Sequence, residues 1–120
     1  MTPVHSHDIP RWEDIDLDSI DYDPTEIEAT GKERTLRSLR SQIDSSEAVL
    51  RRYLRELGVS PGGDPVRATI PSHLRYRDPF AFDRARKARS AQSNLESRRR
   101  RFCHVYAEHR VLRDKAENSG

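Results

Sequence analysis

The sequence predicts an all-α protein, a long antiparallel helical hairpin of coiled-coil type with an extended acidic N-terminal arm. Two stretches carry apolar residues at alternating steps of three and four, the spacing of one helix face. A segment rich in proline and glycine separates them, and residues 1–31 carry a net charge of −8 in a chain whose net charge is +2. We therefore expect one domain with the following order: acidic arm 1–23, first helix 24–57, connector 58–78 and basic second helix 79–117.

The arm interleaves apolar and acidic residues, in strict alternation from Ile15 to Asp18. This pattern is typical of a linear motif that docks on a basic partner or adds to a sheet edge. A solvated acidic tail, or an arm folded back onto the chain's own basic helices, would have the same sequence. The residues expected to dock are Trp12, Ile15, Leu17, Ile20 and Tyr22.

Two signals compete for the start of the first helix. Asp23-Pro24-Thr25-Glu26 combines a capping aspartate with a proline at the first helical position, and Thr30-x-x-Glu33 repeats the capping-box pattern. Gly31 within a helix would cost about 1 kcal/mol relative to alanine. The sequence thus predicts either one helix from residue 24 with a weak point at Gly31 or a short turn followed by the main helix. Gly58 predicts an end at Leu57.

The two seams define the predicted core. The first comprises Leu36, Leu39, Ile43, Ser46, Leu50, Tyr53 and Leu57, widened by Leu54, and the second comprises Ala88, Ala91, Leu95, Arg98, Phe102, Val105, His109, Leu112 and Ala116. Aligning Leu57 with Leu95 would place Ile43 near His109 and Tyr53 near Arg98. The polar seam positions Ser46 and Arg98 are of the kind that fixes register in a coiled coil.

Asp78 and Pro79 predict the start of the second helix, through a cap and a first-turn proline. In the connector, a short helical turn is expected after Pro71. Phe80 and Phe82 are expected to anchor the connector or a second subunit.

The second helix carries a basic run that favours contact with phosphates or with an acidic partner. A solvated arginine-rich face, or one paired with the acidic arm, would look the same in sequence. Arginine greatly outnumbers lysine in this chain, which we interpret as a sign of a GC-rich genome, such as a bacterial or phage genome. The candidate contact residues are Arg84, Arg86, Lys87, Arg89, Arg98, Arg99, Arg100 and Arg101.

No catalytic, metal or cofactor site is expected. His104 and His109 are five residues apart on one helix and point to different faces, and a metal site needs three or four convergent ligands. The neighbouring basic run could lower the pKa of Cys103, but no oriented base accompanies this thiol. A single cysteine fits a reducing compartment. No apolar run spans a bilayer, and residues 1–10 lack the features of a signal peptide.

These observations predict a non-catalytic helical interaction or assembly protein that uses an acidic docking arm and a basic helix. A small phage structural or host-modulating protein would have this composition. The alternative is a small nucleic-acid-binding protein that contacts phosphates through its arginine-rich second helix. We expect a protein partner or self-association, no membrane contact, and a cytoplasmic or, for a phage protein, virion location.

Overall fold

The computed structural model describes residues 9–71 and 78–118. Two 3₁₀ turns, Trp12–Asp14 and Leu17–Ser19, precede helix α1, Glu33–Glu56, and a third, Pro65–Arg67, lies between α1 and helix α2, Pro79–Asn118. The described part contains no strand. Within each compact unit of the chain α1 packs against α2, which confirms the predicted all-α helical hairpin. Arm residues 1–8 and the turn expected after Pro71 lie outside the described residues.

Helix α1 begins at Glu33, nine residues later than position 24, because Gly31 ends a separate turn. The N–H groups of Glu28 and Ala29 both donate to the Thr25 carbonyl at 3.0 Å and close that turn. Gly31 then adopts φ +88°, a left-handed conformation that cannot continue a right-handed helix. The second of the two predicted arrangements, a short turn before the main helix, is therefore the observed one.

Helix α1 ends in a Schellman motif centred on Gly58. The Val59 N–H donates to the Leu54 carbonyl at 2.9 Å, and the Gly58 N–H donates to the Arg55 carbonyl at 3.0 Å. Both bonds require the positive φ of Gly58, +71°. The helix therefore stops at Glu56, within one residue of the predicted end.

Helix α2 begins as its sequence predicts. The Asp78 carboxylate accepts from the Phe80 N–H at 2.9 Å, and Pro79 occupies the first helical position. No glycine or proline follows before residue 120, so the helix continues without interruption for 40 residues. Neither helix contains a segment apolar and long enough to cross a membrane.

The chain divides into two compact units. Unit 1 comprises Met1–Ser41 and Arg99–Gly120, and unit 2 comprises Gln42–Arg98. The buried core of unit 1 comes from the arm and both helices: Ile15, Leu36, Leu39, Phe102, Cys103 and Ala107, with the polar Glu33 and His109.

In unit 2 the buried core comprises Ile43, Ser46, Leu50, Leu54, Pro65, Ala85, Ala88 and Leu95. The predicted seam of α1 is confirmed, except that Tyr53 and Leu57 are half-buried. On α2 the positions Ala88, Leu95, Phe102 and His109 are buried, whereas their predicted seam partners are half-buried or exposed: Ala91, Arg98, Val105, Leu112 and Ala116.

The predicted register of the two helices is wrong. Within unit 2 the Arg98 guanidinium donates to the Ser46 hydroxyl, not to Tyr53, which lies seven residues further along α1. Within unit 1 His109 lies beside Glu33 instead of Ile43. The seam repeats every seven residues, so the apolar pattern fits alignments that differ by a heptad equally well. The polar pairs distinguish between them.

Candidate interaction sites

The arm of unit 1 packs against α2 through Trp12. The indole of Trp12 meets the Phe102 ring edge to face, with centroids 5.5 Å apart and planes at 83°. The Arg99 guanidinium lies 5.3 Å from the centre of the Trp12 ring, a cation–π distance. An aromatic and a cationic contact therefore hold the N-terminal end of the described arm.

The opposite end of the arm is held by Arg40 of α1. One guanidinium nitrogen donates to the Leu17 carbonyl at 3.0 Å and to the Tyr22 hydroxyl at 3.3 Å, and the other pairs with Asp18 at 2.9 Å. The Tyr22 hydroxyl in turn donates to the Leu17 carbonyl at 3.0 Å. The bond to Asp18, followed by that to Tyr22, raises the pKa of Arg40. One side chain thus joins three residues of the arm to the helix.

The only cysteine, Cys103, is buried in the same unit, close enough to the arm for the charge of Glu13 to act on its thiol. Ile15 is buried, Leu17 and Ile20 are half-buried, and Cys103 is 5% exposed. Burial, with a smaller contribution from the charge of Glu13, raises the pKa of the Cys103 thiol. This direction is opposite to the lowering that the basic run suggested, because desolvation disfavours the thiolate. The arm therefore lies against the chain's own helices, and contact of these residues with a second protein stays a prediction.

Three of the eight predicted basic contact residues are engaged within the fold. Arg89 donates to the Pro71 carbonyl at 2.7 Å, and Arg98 donates to Ser46, both within unit 2. Arg99 lies over Trp12 in unit 1. These arginines hold the connector, α1 and the arm to α2, which is a structural use of charge that the sequence did not reveal.

The other five basic residues are exposed. Arg86 and Lys87 both pair with Asp83, at 3.0 and 3.3 Å, and the bond from Lys87, followed by that from Arg86, lowers the pKa of Asp83. The remaining three are Arg84, Arg100 and Arg101. The basic run thus contains three residues engaged with the arm, α1 or the connector, of which Arg98 is also exposed, and five further exposed residues.

Unit 2 also contains an open groove between α1 and α2. Two adjoining depressions, of about 460 and 200 Å³, share Val49, Ala91 and Asn94 and form one continuous surface. Lys87 and Arg98 provide cations along the α2 side. Val49 is 38% exposed, so the apolar floor is accessible to water.

A polar cluster joins the start of α1 to α2 in unit 1. The Glu33 carboxylate accepts from the Thr30 N–H at 2.7 Å and from the Thr30 hydroxyl at 2.8 Å. The same hydroxyl lies 2.9 Å from Nδ1 of His109. Because Glu33 can only accept when ionised, the hydroxyl donates to it and accepts from the Nδ1–H of His109.

The described residues contain no group of three histidine, cysteine, aspartate or glutamate side chains placed to hold a metal ion. His104 is exposed and His109 is buried, so the two face different ways, as their spacing predicts.

Sequence reasoning missed two of the residues that define these surfaces. Arg40 is one arginine among several on α1, and nothing in its sequence neighbourhood distinguishes it. Val49 precedes the seam residue Leu50, and a single apolar residue beside a seam does not reveal a groove. The capping pattern did identify Thr30 and Glu33, but not their link to His109.

Comparison of the chain with protein-family models, with curated proteins and with solved structures finds no match.

Proposed function

We propose that this protein is a non-catalytic helical interaction protein that contacts another protein through the beginning of α2. The observation that carries this proposal is the exposure of two phenylalanines there. Phe80 is 71% exposed and Phe82 is 44% exposed. Fully burying an exposed side chain of this size is worth about 1.5–3 kcal/mol, so a partner that covers Phe80 would gain part of this free energy.

The charges around these phenylalanines support the same function. Arg84 and Arg86 are exposed on the next turn, and arginine beside an aromatic residue is the composition enriched at protein interfaces. The acidic arm would contribute by holding α2 in place, since its apolar residues face the chain's own helices. Assembly of copies of this chain through the same surface belongs to this proposal.

Capture from an extract of the natural source tests the proposal. Tagged wild-type protein should retain a protein that the double variant Phe80→Ser, Phe82→Ser does not retain. The matched control is Ile27→Ser, which removes a side chain that is 96% exposed in unit 1. Light scattering on the purified protein detects self-association. Equal capture by the wild type and the double variant, with a monomer in both, would reject the proposal.

Nucleic-acid binding is the second candidate, and the exposure of Arg84, Arg100 and Arg101 favours it. Arg100→Gln with Arg101→Gln is a sharper test than replacing all of 98–101, because Arg98 and Arg99 hold Ser46 and Trp12. Duplex DNA and single-stranded RNA, each fluorescently labelled, should bind the wild type with an affinity that falls as salt rises. The double variant should bind less tightly, and the control pair Arg34→Gln, Arg37→Gln on α1 should not. No binding to either polymer at low salt would exclude this candidate.

A further inference from the structure

The groove of unit 2 is open along one flank of α2. Its floor is formed by Val49 of α1 and Ala91 of α2. Ala91 has the smallest apolar side chain, so another backbone can approach closely at this point. Grooves of this kind between two helices accommodate the apolar face of a third helix.

The flank of α2 continues beyond the groove to the exposed side chain of Phe80. Phe80, Lys87 and Asn94 are successive residues at intervals of seven, and therefore lie along one stripe of α2. From Phe80 to Arg98 the stripe covers about 27 Å at 1.5 Å per residue, which matches five turns of a helix. Phe80, 71% exposed, stands at one end as an anchor for an apolar partner residue.

The charges along this flank are predominantly positive. Arg86, Lys87 and Arg98 line the groove, and Asp83 is the acid that pairs with the first two. A partner with carboxylates beside its apolar stripe would complement these cations and gain in association rate and orientation. We infer that this groove binds an acidic amphipathic helix of another protein, an inference that rests on the proposed function and names its partner chemistry.

Other occupants fit the flank less well. A nucleic-acid duplex presents phosphates along its exterior and no apolar side chain for Val49 and Phe80 to bury. A second copy of this chain would bring its own arginine-rich surface against Arg86, Lys87 and Arg98. The chain's own arm has Ile15 buried in unit 1 and Trp12 against Phe102 there.

A designed peptide of about 20 residues tests the inference, since that length gives a helix of about 30 Å. The probe carries leucines on one helical face and glutamates beside them, and two controls accompany it. One is a scrambled peptide of the same composition, and the other replaces every glutamate by lysine. We expect the acidic amphipathic peptide to bind in fluorescence anisotropy and both controls to bind at least tenfold more weakly, about 1.4 kcal/mol.

Two serine substitutions on α2 form a matched pair. Ser90 lines the groove, whereas Ser93 is exposed elsewhere on the helix and does not line it. Ser90→Glu places a carboxylate in the groove and should weaken peptide binding by about tenfold or more. Ser93→Glu adds the same charge to the same helix and should change the affinity by less than about twofold. Circular dichroism melting curves verify that both variants fold.

Four results would overturn the inference. The first is binding of the scrambled peptide with the same affinity as the acidic amphipathic peptide, and the second is an equal effect of Ser90→Glu and Ser93→Glu on peptide affinity. The third is displacement of the peptide by duplex DNA or by a peptide of residues 9–23. The fourth is a wild-type dimer that Ser90→Glu dissociates. Absence of peptide binding while capture from extract still depends on Phe80 and Phe82 would reject the groove and leave the proposed function intact. Absence of peptide binding together with capture that does not depend on Phe80 and Phe82 would reject the groove and the proposed function.

Discussion

The hydroxyl oxygen of Thr30 lies 2.9 Å from Nδ1 of His109, a residue 79 positions later in the chain. Through this contact the side chain that precedes α1 is bonded to a buried histidine of α2 within unit 1. Glu33 completes the cluster, with its carboxylate 3.6 Å from the same ring nitrogen. The arrangement joins a local capping motif to a long-range contact. The fold lowers the pKa of both titratable groups, Glu33 and His109.

Acidification should destabilise the fold through this cluster. Burial lowers the pKa of His109 from its ordinary value of 6.5, although the Glu33 carboxylate acts to raise it. The unfolded state therefore takes up the proton more readily, so the stability contributed by neutral His109 is complete above pH 6.5 and is lost as the pH falls through the folded pKa.

Glu33 acts in the same direction at lower pH. Burial acts to raise its pKa, but the hydrogen bonds from the Thr30 hydroxyl and N–H outweigh this effect and hold the pKa below 4.5. Its contribution is present above that value and is lost as the pH falls through the folded pKa. Urea unfolding at pH values on both sides of 6.5 should show the histidine step below that value. His109→Gln should remove it, and the exposed His104→Gln on the same helix should retain it; identical profiles for both variants would contradict this prediction.

Arg40→Gln should loosen the arm of unit 1. The substitution removes the ion pair with Asp18 and the bonds to Leu17 and Tyr22. Cys103 is 5% exposed and close to Glu13 of the arm, so it should then react faster with a thiol reagent. The fluorescence of Trp12, the only tryptophan, should shift to the red. Arg37→Gln, an exposed arginine on the same helix, is the control. Unchanged thiol reactivity in Arg40→Gln would show that Arg40 does not hold the arm.

Leu50→Ala should destabilise the protein by about 2–5 kcal/mol, because it removes a large, fully buried side chain and leaves a cavity. Val49→Ala is the natural comparison, since its side chain is 38% exposed while that of Leu50 is 0% exposed. Val49→Ala should lower the free energy of unfolding by less than about 1 kcal/mol. Thermal unfolding of the two variants measures the difference, and similar costs would mean that unit 2 is packed differently from the arrangement described.

Gly58→Ala should cost about 1–2 kcal/mol, the usual penalty for an L-residue in the left-handed conformation. Nothing lies within 4 Å of a Cβ built at Gly58 or at Gly63, so steric contact does not distinguish the two sites. They differ in backbone, since Gly58 has φ +71° and Gly63 does not have a positive φ. Gly63→Ala should therefore be neutral or stabilising by up to about 1 kcal/mol. A greater loss of stability in Gly63→Ala than in Gly58→Ala would contradict the role of Gly58 in ending α1.

Local sequence signals determined the helices of this protein. The Asp78–Pro79 start, the Gly58 end and the two seams could be predicted because capping, left-handed glycine and three-four periodicity depend on residues that are close in the chain. The buried seam residues Leu36, Leu50, Leu95 and Phe102 follow from the same signals. Two local signals compete for the start of α1, and the positive φ of Gly31 decides between them.

Only the tertiary structure decided the register, the placement of the arm and the surfaces left open. A seven-residue apolar repeat satisfies several alignments equally, and the bond between Arg98 and Ser46 selects one of them. The alternating pattern identifies the arm. Its packing against the chain's own helices depends on Arg40 and Phe102, which are distant from it in sequence. The groove at Val49 and Ala91 exists because two separate helices meet there. A local sequence pattern does not show which side chains between two helices remain exposed.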